Sequence, residues 1–359
     1  MAKKILYGLL NADLEEVIAP TFRTIYDFSE GLAAAKKSNR WGYINHEGEW
    51  VIKPKFSYAG DFSGGIAEVE EDGVYGLINK NGEYILKPHY KEIRIHPSGS
   101  IALVQDERVH GYCSDTKYGL INSEGRWLTE IEYGGHTCVN IGWALQKNDD
   151  WRIFDKDGNI FANEVFGNVQ NCSEGIALVS REIGYKLEKD YCYVDNTGRT
   201  IAEVAWGTSF INGVAGVKDK KTWSWGIMDK EGKWVLEPQF DFMHDFCEDI
   251  APYGQDGLIG YVRADGKILT EPLYKAYSKF SGGYASVPTE KGVGIINNQG
   301  EPVTEQDYKS AFVVGNDMVA LKRDEYFKIV NLKTKKSIER NYIRLGALSD
   351  GLIIFGVEC

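Results

Sequence analysis

Short runs of alternating apolar and polar residues recur along this chain at an interval of roughly 35 residues. The run FSEGLAAAKKSNRWGYINHEGEWVIKPKF, beginning at Phe28, returns at Phe62 as FSGGIAEVEEDGVYGLINKNGEYILKPHY. It returns again at Phe246 as FCEDIAPYGQDGLIGYVRADGKILTEPLY and at Phe280 as FSGGYASVPTEKGVGIINNQGEPVTEQDY. More worn copies begin near Ser98, Val139, Cys172, Ile211 and Gly315, which makes nine complete units. In IAEVEE and VYGLIN every second side chain falls on one face, the period of a half-buried strand.

The polar interruptions are turns. EDG, or SNR in the first copy, joins the first two strands as a hairpin. An Asn or Asp followed three residues later by Gly joins the second to the third, as at Asn45 to Gly48, Asn79 to Gly82, Asp195 to Gly198 and Asp229 to Gly232. The side-chain oxygen opens a type I turn and the glycine takes the left-handed position. Each unit therefore reads as a three-stranded antiparallel meander. Its third strand carries a proline (Pro54, Pro88, Pro238, Pro272), which cannot donate to a ladder and marks an edge or a strand end. The aromatic two residues later (Phe56, Tyr90, Phe240, Tyr274) is expected to plug the joint between units. The ring before the recurrent glycine (Trp41, Tyr75, Tyr118, Trp225) is expected to pack there too, the glycine allowing close approach.

WGYIN, YGLIN and WGIMD, with their FSxGxA and KP-aromatic flanks, resemble the WG repeat, also called the KWG repeat, over nearly the whole chain. The segments WRIFDKDG and FKIVNLKT depart from the motif in the copies near Val139 and Gly315. The resemblance implies a bacterial repeat protein and supplies no catalytic residues.

The two ends hold complementary fragments. Residues from Tyr7 to Phe22 supply a second and third strand without a first, and SDGLIIFGV from Ser349 supplies a first strand. Together they make a tenth unit. The expectation is an all-β tandem repeat over residues 1–359, nine complete units plus N- and C-terminal halves, in a propeller-like closed ring; an open superhelical β-solenoid is the alternative.

Composition fits this reading, with 40 Gly, 21 Tyr and 9 Trp against 4 Met. A net charge of −11 without a Lys/Arg cluster argues against nucleic acid as partner. No apolar run is long enough to span a membrane and no signal peptide is evident. Six scattered cysteines read as free thiols, so a cytoplasmic location is expected.

Candidate chemistry is sparse. His110 with Cys113, and His136 with Cys138, form two pairs that could serve as a zinc site, although their spacing matches no established motif and ordinary loop side chains are the simpler reading. No nucleophile elbow or HExxH sequence occurs. Carboxylates such as Glu47, Asp155, Asp195 and Asp229 recur with the turn, which assigns them to backbone capping. The expectation is a non-enzymatic scaffold without a cofactor. Its surface would engage another protein, a basic one by charge complementarity, and such a scaffold could neutralise a toxin. A carbohydrate or cell-wall binding module is the alternative, and would need rows of exposed aromatics.

Overall fold

The computed structural model describes residues 5–106, 116–182 and 190–358. Among them there is no helix, and the strands form ten antiparallel sheets. Nine sheets come from contiguous stretches and correspond to the nine units. The departing segments also find their places, as strands Asp150–Asp155 and Phe327–Asn331.

The tenth sheet is built from both ends. Its order places Arg344–Ser349 beside Leu352–Glu358, then Ile5–Asn11, then Glu16–Phe22. The middle pair runs in unbroken register from Ile5 opposite Glu358 to Asn11 opposite Leu352. The chain path thus closes on itself in a propeller-type fold, and the open superhelix with two free ends is set aside.

The three-stranded unit needs one correction, because seven of the ten sheets have four strands. The extra strand is short and lies between the plugging aromatic and the FSxG turn. Thr24–Ile25 precedes Ala33–Lys36 in this way, and Tyr58–Ala59 precedes Ile66–Glu71. It pairs backbone groups that the next strand would otherwise leave open.

The strands next to it are buried on both faces, not one. Ala33 and Ala35 join a cluster with Leu9, Phe22 and Ile354 of the sheet before, while Ala34 packs with Phe62 and Val69 of the sheet after. Small side chains suit a strand pressed from both sides. The core accordingly lies in the joints between sheets, and the aromatics fall where expected: Phe56 is fully buried against Ala67 and Val69, and Phe240 against Ala251 and Tyr253.

The recurrent glycine serves its own sheet. Trp41 pairs with Phe56 and Tyr43 with Ile52, so three residues of the outer strand bulge opposite Gly42. A Cβ on Gly42 would stand 2.4 Å from the Ile52 carbonyl oxygen and 2.7 Å from the Pro54 nitrogen. The proline occupies the bulge, where no ladder bond is asked of it. The hairpin turns follow the same economy of residue type. Asp72 and Gly73 both take positive φ, at 52° and 90°, as a two-residue type I′ connection requires. In the second turn the Asn79 side-chain oxygen accepts from the amides of Asn81 and Glu83, both at 3.0 Å. Asp155, Asp195 and Asp229 cap their turns likewise.

Polar latches tie neighbouring sheets at the FSxG turns. The Glu30 carboxylate accepts from the Gly64 and Gly65 amides at 2.6 and 3.0 Å, and Lys80 pairs with it at 3.0 Å. Burial alone would raise the Glu30 carboxyl, but Lys80 and the two amides bring it below the usual value. Glu174 repeats the device on Asn212 and Gly213 with Lys230, and Glu248 on Gly282 and Gly283.

Two compact units partition the chain: one takes in the residues up to Glu132 together with those from Lys309, the other Tyr133–Tyr308. Among the described residues no helix is long and apolar enough to cross a membrane.

Candidate binding cavities

In the short strands a buried residue stands between two that face the other way, outward, of which Gly60 and Thr208 are themselves buried. Ile25, Ala59, Ile93, Val169 and Met243 stand three positions after their plugging aromatic and are all buried. Two and four positions after that aromatic, or after Val204 where it takes the aromatic's place, the chemistry changes from sheet to sheet: Tyr58 and Gly60, Glu92 and Arg94, Asn168 and Gln170, Trp206 and Thr208, Phe242 and His244. These outward positions line two cavities.

The larger cavity, of about 620 Å³, lies within the Tyr133–Tyr308 unit. Its aromatic lining is Trp206, Trp225, Phe242 and His244, and its polar lining includes Gln170, Asn171, Thr208 and Asp245. Glycines allow this packing. A Cβ on Gly254 would come within 1.8 Å of the Phe242 ring, and one on Gly207 within 1.9 Å of the Tyr193 hydroxyl. That hydroxyl, fully buried, donates to the Thr208 carbonyl at 2.6 Å and so fixes the backbone of the cavity wall.

Trp206 meets Tyr191 edge-on at 4.9 Å and stays 39% exposed, an exposure that leaves it available to a guest. The His244 ring lies 5.4 Å from Phe242 and 4.4 Å from Tyr277. Burial, with Lys279 adding to the effect against the pull of Asp245, holds that imidazole below its usual value, and this favours the neutral ring. Asn171 sits at a register shift in Asn168–Ser173, and its side-chain oxygen is buried without a hydrogen-bond partner.

The smaller cavity, of about 390 Å³, lies in the other unit and is lined by Tyr58, Glu68, Tyr75, Glu92, Arg94 and Gln105 among others. Glu68 accepts from the Tyr58 hydroxyl at 3.2 Å, and Arg94 pairs with Glu92 at 2.5 Å. Burial raises the Glu68 carboxyl; the Tyr58 hydrogen bond and Arg94 work against this, and Glu92 with it. Acidic, basic and phenolic groups therefore share one small space.

Of the metal candidates, His136 and Cys138 lie on Gly135–Val139, opposite Leu145 and Trp143 respectively. Two residues apart on one strand, they share a face, and Cys138 is exposed. His110 and Cys113 lie outside the described residues. Among the described residues no group of three or more His, Cys, Asp or Glu side chains is placed to hold a metal ion.

The outward positions escaped the sequence reading because the short strand did. The signal lies in the recurrent spacing between the plugging aromatic and FSxG, a stretch too short to show a period.

Comparison with known proteins bears on the fold and the repeat. The sequence profile of the WG containing repeat matches residues 7–41, 41–75, 75–107, 225–258 and 259–287. No curated protein sequence matches the chain. A crystal structure of a eukaryotic initiation factor is similar over 91% of this chain and 98% of its own, at 11% identity and a TM-score of 0.51. The β-propeller domain of the Trilobed protease from Pyrococcus furiosus, described as having an open velcro topology, aligns over 70% of this chain and 99% of its own. Its identity is 14% and its TM-score 0.32.

Proposed function

Five matches to the WG containing repeat make this a WG repeat protein, and from that premise we propose that it is a non-enzymatic scaffold that engages another protein through the outward residues of its short strands. One observation carries the reading. The positions that hold the repeat together recur from sheet to sheet, whereas the outward positions differ in chemistry at each step, from Glu92 and Arg94 to Trp206 and Thr208 to Phe242 and His244. A glycan of identical sugars would be matched by the same side chain in every sheet. A polypeptide, whose residues differ along its length, is matched by a surface that differs as well.

The net charge of −11 favours a basic partner, with attraction that weakens as salt rises. Occupying such a partner is one means by which a scaffold could neutralise a toxin. The four free cysteines among the described residues suit the reducing cytoplasm.

The test is crosslinking in the native host with wild type and with a Trp206→Ala, Phe242→Ala double variant of unchanged unfolding midpoint. A basic protein enriched by wild type and lost in the variant is the expected result. Equal capture by both, or no captured protein alongside tight binding on a glycan panel, would sink the reading.

A further inference from the structure

The larger cavity combines aromatic rings with a carboxylate in one lining. Trp206, Trp225 and Phe242 turn aromatic rings to it, His244 adds a ring held toward its neutral form, and Asp245 adds a carboxylate. Asn171 adds a side-chain oxygen that has no donor of its own. No lysine or arginine lines it, and Lys279, which pairs with Asp245 at 3.6 Å between two well exposed side chains, is the cation a guest would have to displace or share.

Each of these features asks for the same guest. Aromatic faces attract cations through the negative centre of the ring. A buried acceptor without a partner is costly until a donor reaches it. An aliphatic guest would leave Asn171 unsatisfied, and an anionic one would face Asp245. A guanidinium group answers all three demands, since it is flat enough to stack on Trp206, always charged, and carries five N–H donors in a fixed fork. An ammonium group offers a charge but no plane.

We propose that the cavity between Trp206 and His244 is an arginine-binding site, receiving the guanidinium of an arginine side chain from the protein partner. The inference rests on the binding-scaffold reading and names the chemistry by which that scaffold recognises its partner. Stacking on Trp206 and Phe242 supplies the fit, Asp245 the charge complement, and Asn171 the acceptor. No bond is made or broken.

The experiment uses small probes and the full chain. N-acetyl-arginine amide is titrated while the indole N–H resonances of Trp206 and Trp225 are followed by NMR, with N-acetyl-citrulline amide as the neutral isostere and N-acetyl-lysine amide as the unstacked cation. The arginine probe is expected to shift both indoles and to bind at least 10-fold more tightly than the citrulline probe, with the lysine probe between them. Asp245→Asn and Trp206→Ala should each weaken it several-fold. Asn171→Leu removes the unpaired oxygen, so it should leave the unfolding midpoint unchanged or raised while still weakening the probe. Equal binding of arginine and citrulline probes, or unshifted indoles at millimolar arginine probe, would overturn the site. Those results would leave the scaffold reading standing if the crosslinked partner is still lost in the double variant. Arginine-selective binding without any captured protein would establish the site and overturn the scaffold reading alone.

Discussion

The Asp350 carboxylate accepts a hydrogen bond at 2.8 Å from the amide of Gly31, a residue 319 positions earlier in the chain. Beside it the Ser349 hydroxyl donates to the Phe28 carbonyl. The same pair of contacts recurs inside the array, where the Ser29 hydroxyl donates to the Phe62 carbonyl and Glu30 holds Gly64 and Gly65. The joint that closes the chain is therefore made like the joints within it.

Removing residues 344–358 strips the partner from Ile5–Asn11 and takes the Asp350 latch with it. Hydrogen exchange followed by NMR should show the amides of Ile5–Asn11 losing protection while those of Tyr191–Asp195 keep theirs. Retained protection at Ile5–Asn11 would mean that the closing strands contribute nothing.

Tyr193→Phe deletes one oxygen from a fully buried ring and leaves the Thr208 carbonyl without that donor. The expected loss is about 1–2 kcal/mol, the usual consequence of unpairing a buried acceptor. Denaturant titration measures it, and the slope should not change.

Gly226→Ala places a methyl group 2.5 Å from the Leu236 carbonyl oxygen and 2.8 Å from the Pro238 nitrogen. Backbone atoms on a bulge cannot swing aside as a side chain could. A destabilisation of about 2–3 kcal/mol is expected, against a smaller loss of about 1 kcal/mol for Gly351→Asn, where the positive φ strains any side chain but nothing lies within 4 Å of the new Cβ.

The latches make stability depend on acidity. The Lys230 hydrogen bond, then the Gly213 and Asn212 amides, hold the Glu174 carboxyl below its usual 4.5. A group whose value is lowered by folding stabilises the fold above its unfolded value, and that contribution drains away as pH falls through the folded value. Glu174→Gln should thus cost about 0.5–1 kcal/mol at neutral pH, the pair being exposed and screened by solvent, and progressively less below about pH 4.5. Urea midpoints at pH 7 and pH 3 give the comparison, and a pH-independent difference would contradict the mechanism.

Much of the fold was legible in the chain because repetition multiplies weak signals. A single WGYIN says little, but WGYIN, YGLIN and WGIMD at matching offsets from Gly-ended turns assign strands, joints and even the closing half-units. What stayed illegible is the part that does not repeat. Trp206 and Phe242 share a structural position but little else with Glu92, so no pattern search groups them. Thr24–Ile25 and Tyr58–Ala59 are too short to show any alternation. Burial on both faces was also hidden, since Ala33, Ala34 and Ala35 carry no polar position to contrast with. Asn171 carries no signal at all in sequence, for its unpaired oxygen depends on a local shift of register.

The pairing of Ile5–Asn11 with Leu352–Glu358 also sets a timetable for biosynthesis. The first hairpin leaves the ribosome more than three hundred residues before its mate, a wait of roughly 15–60 s at ~5–20 residues per second. Throughout that interval it presents an open, apolar edge to every other nascent chain on the same message. Fast translation, or a chaperone that shields the newborn hairpin, should therefore raise the yield of folded molecules.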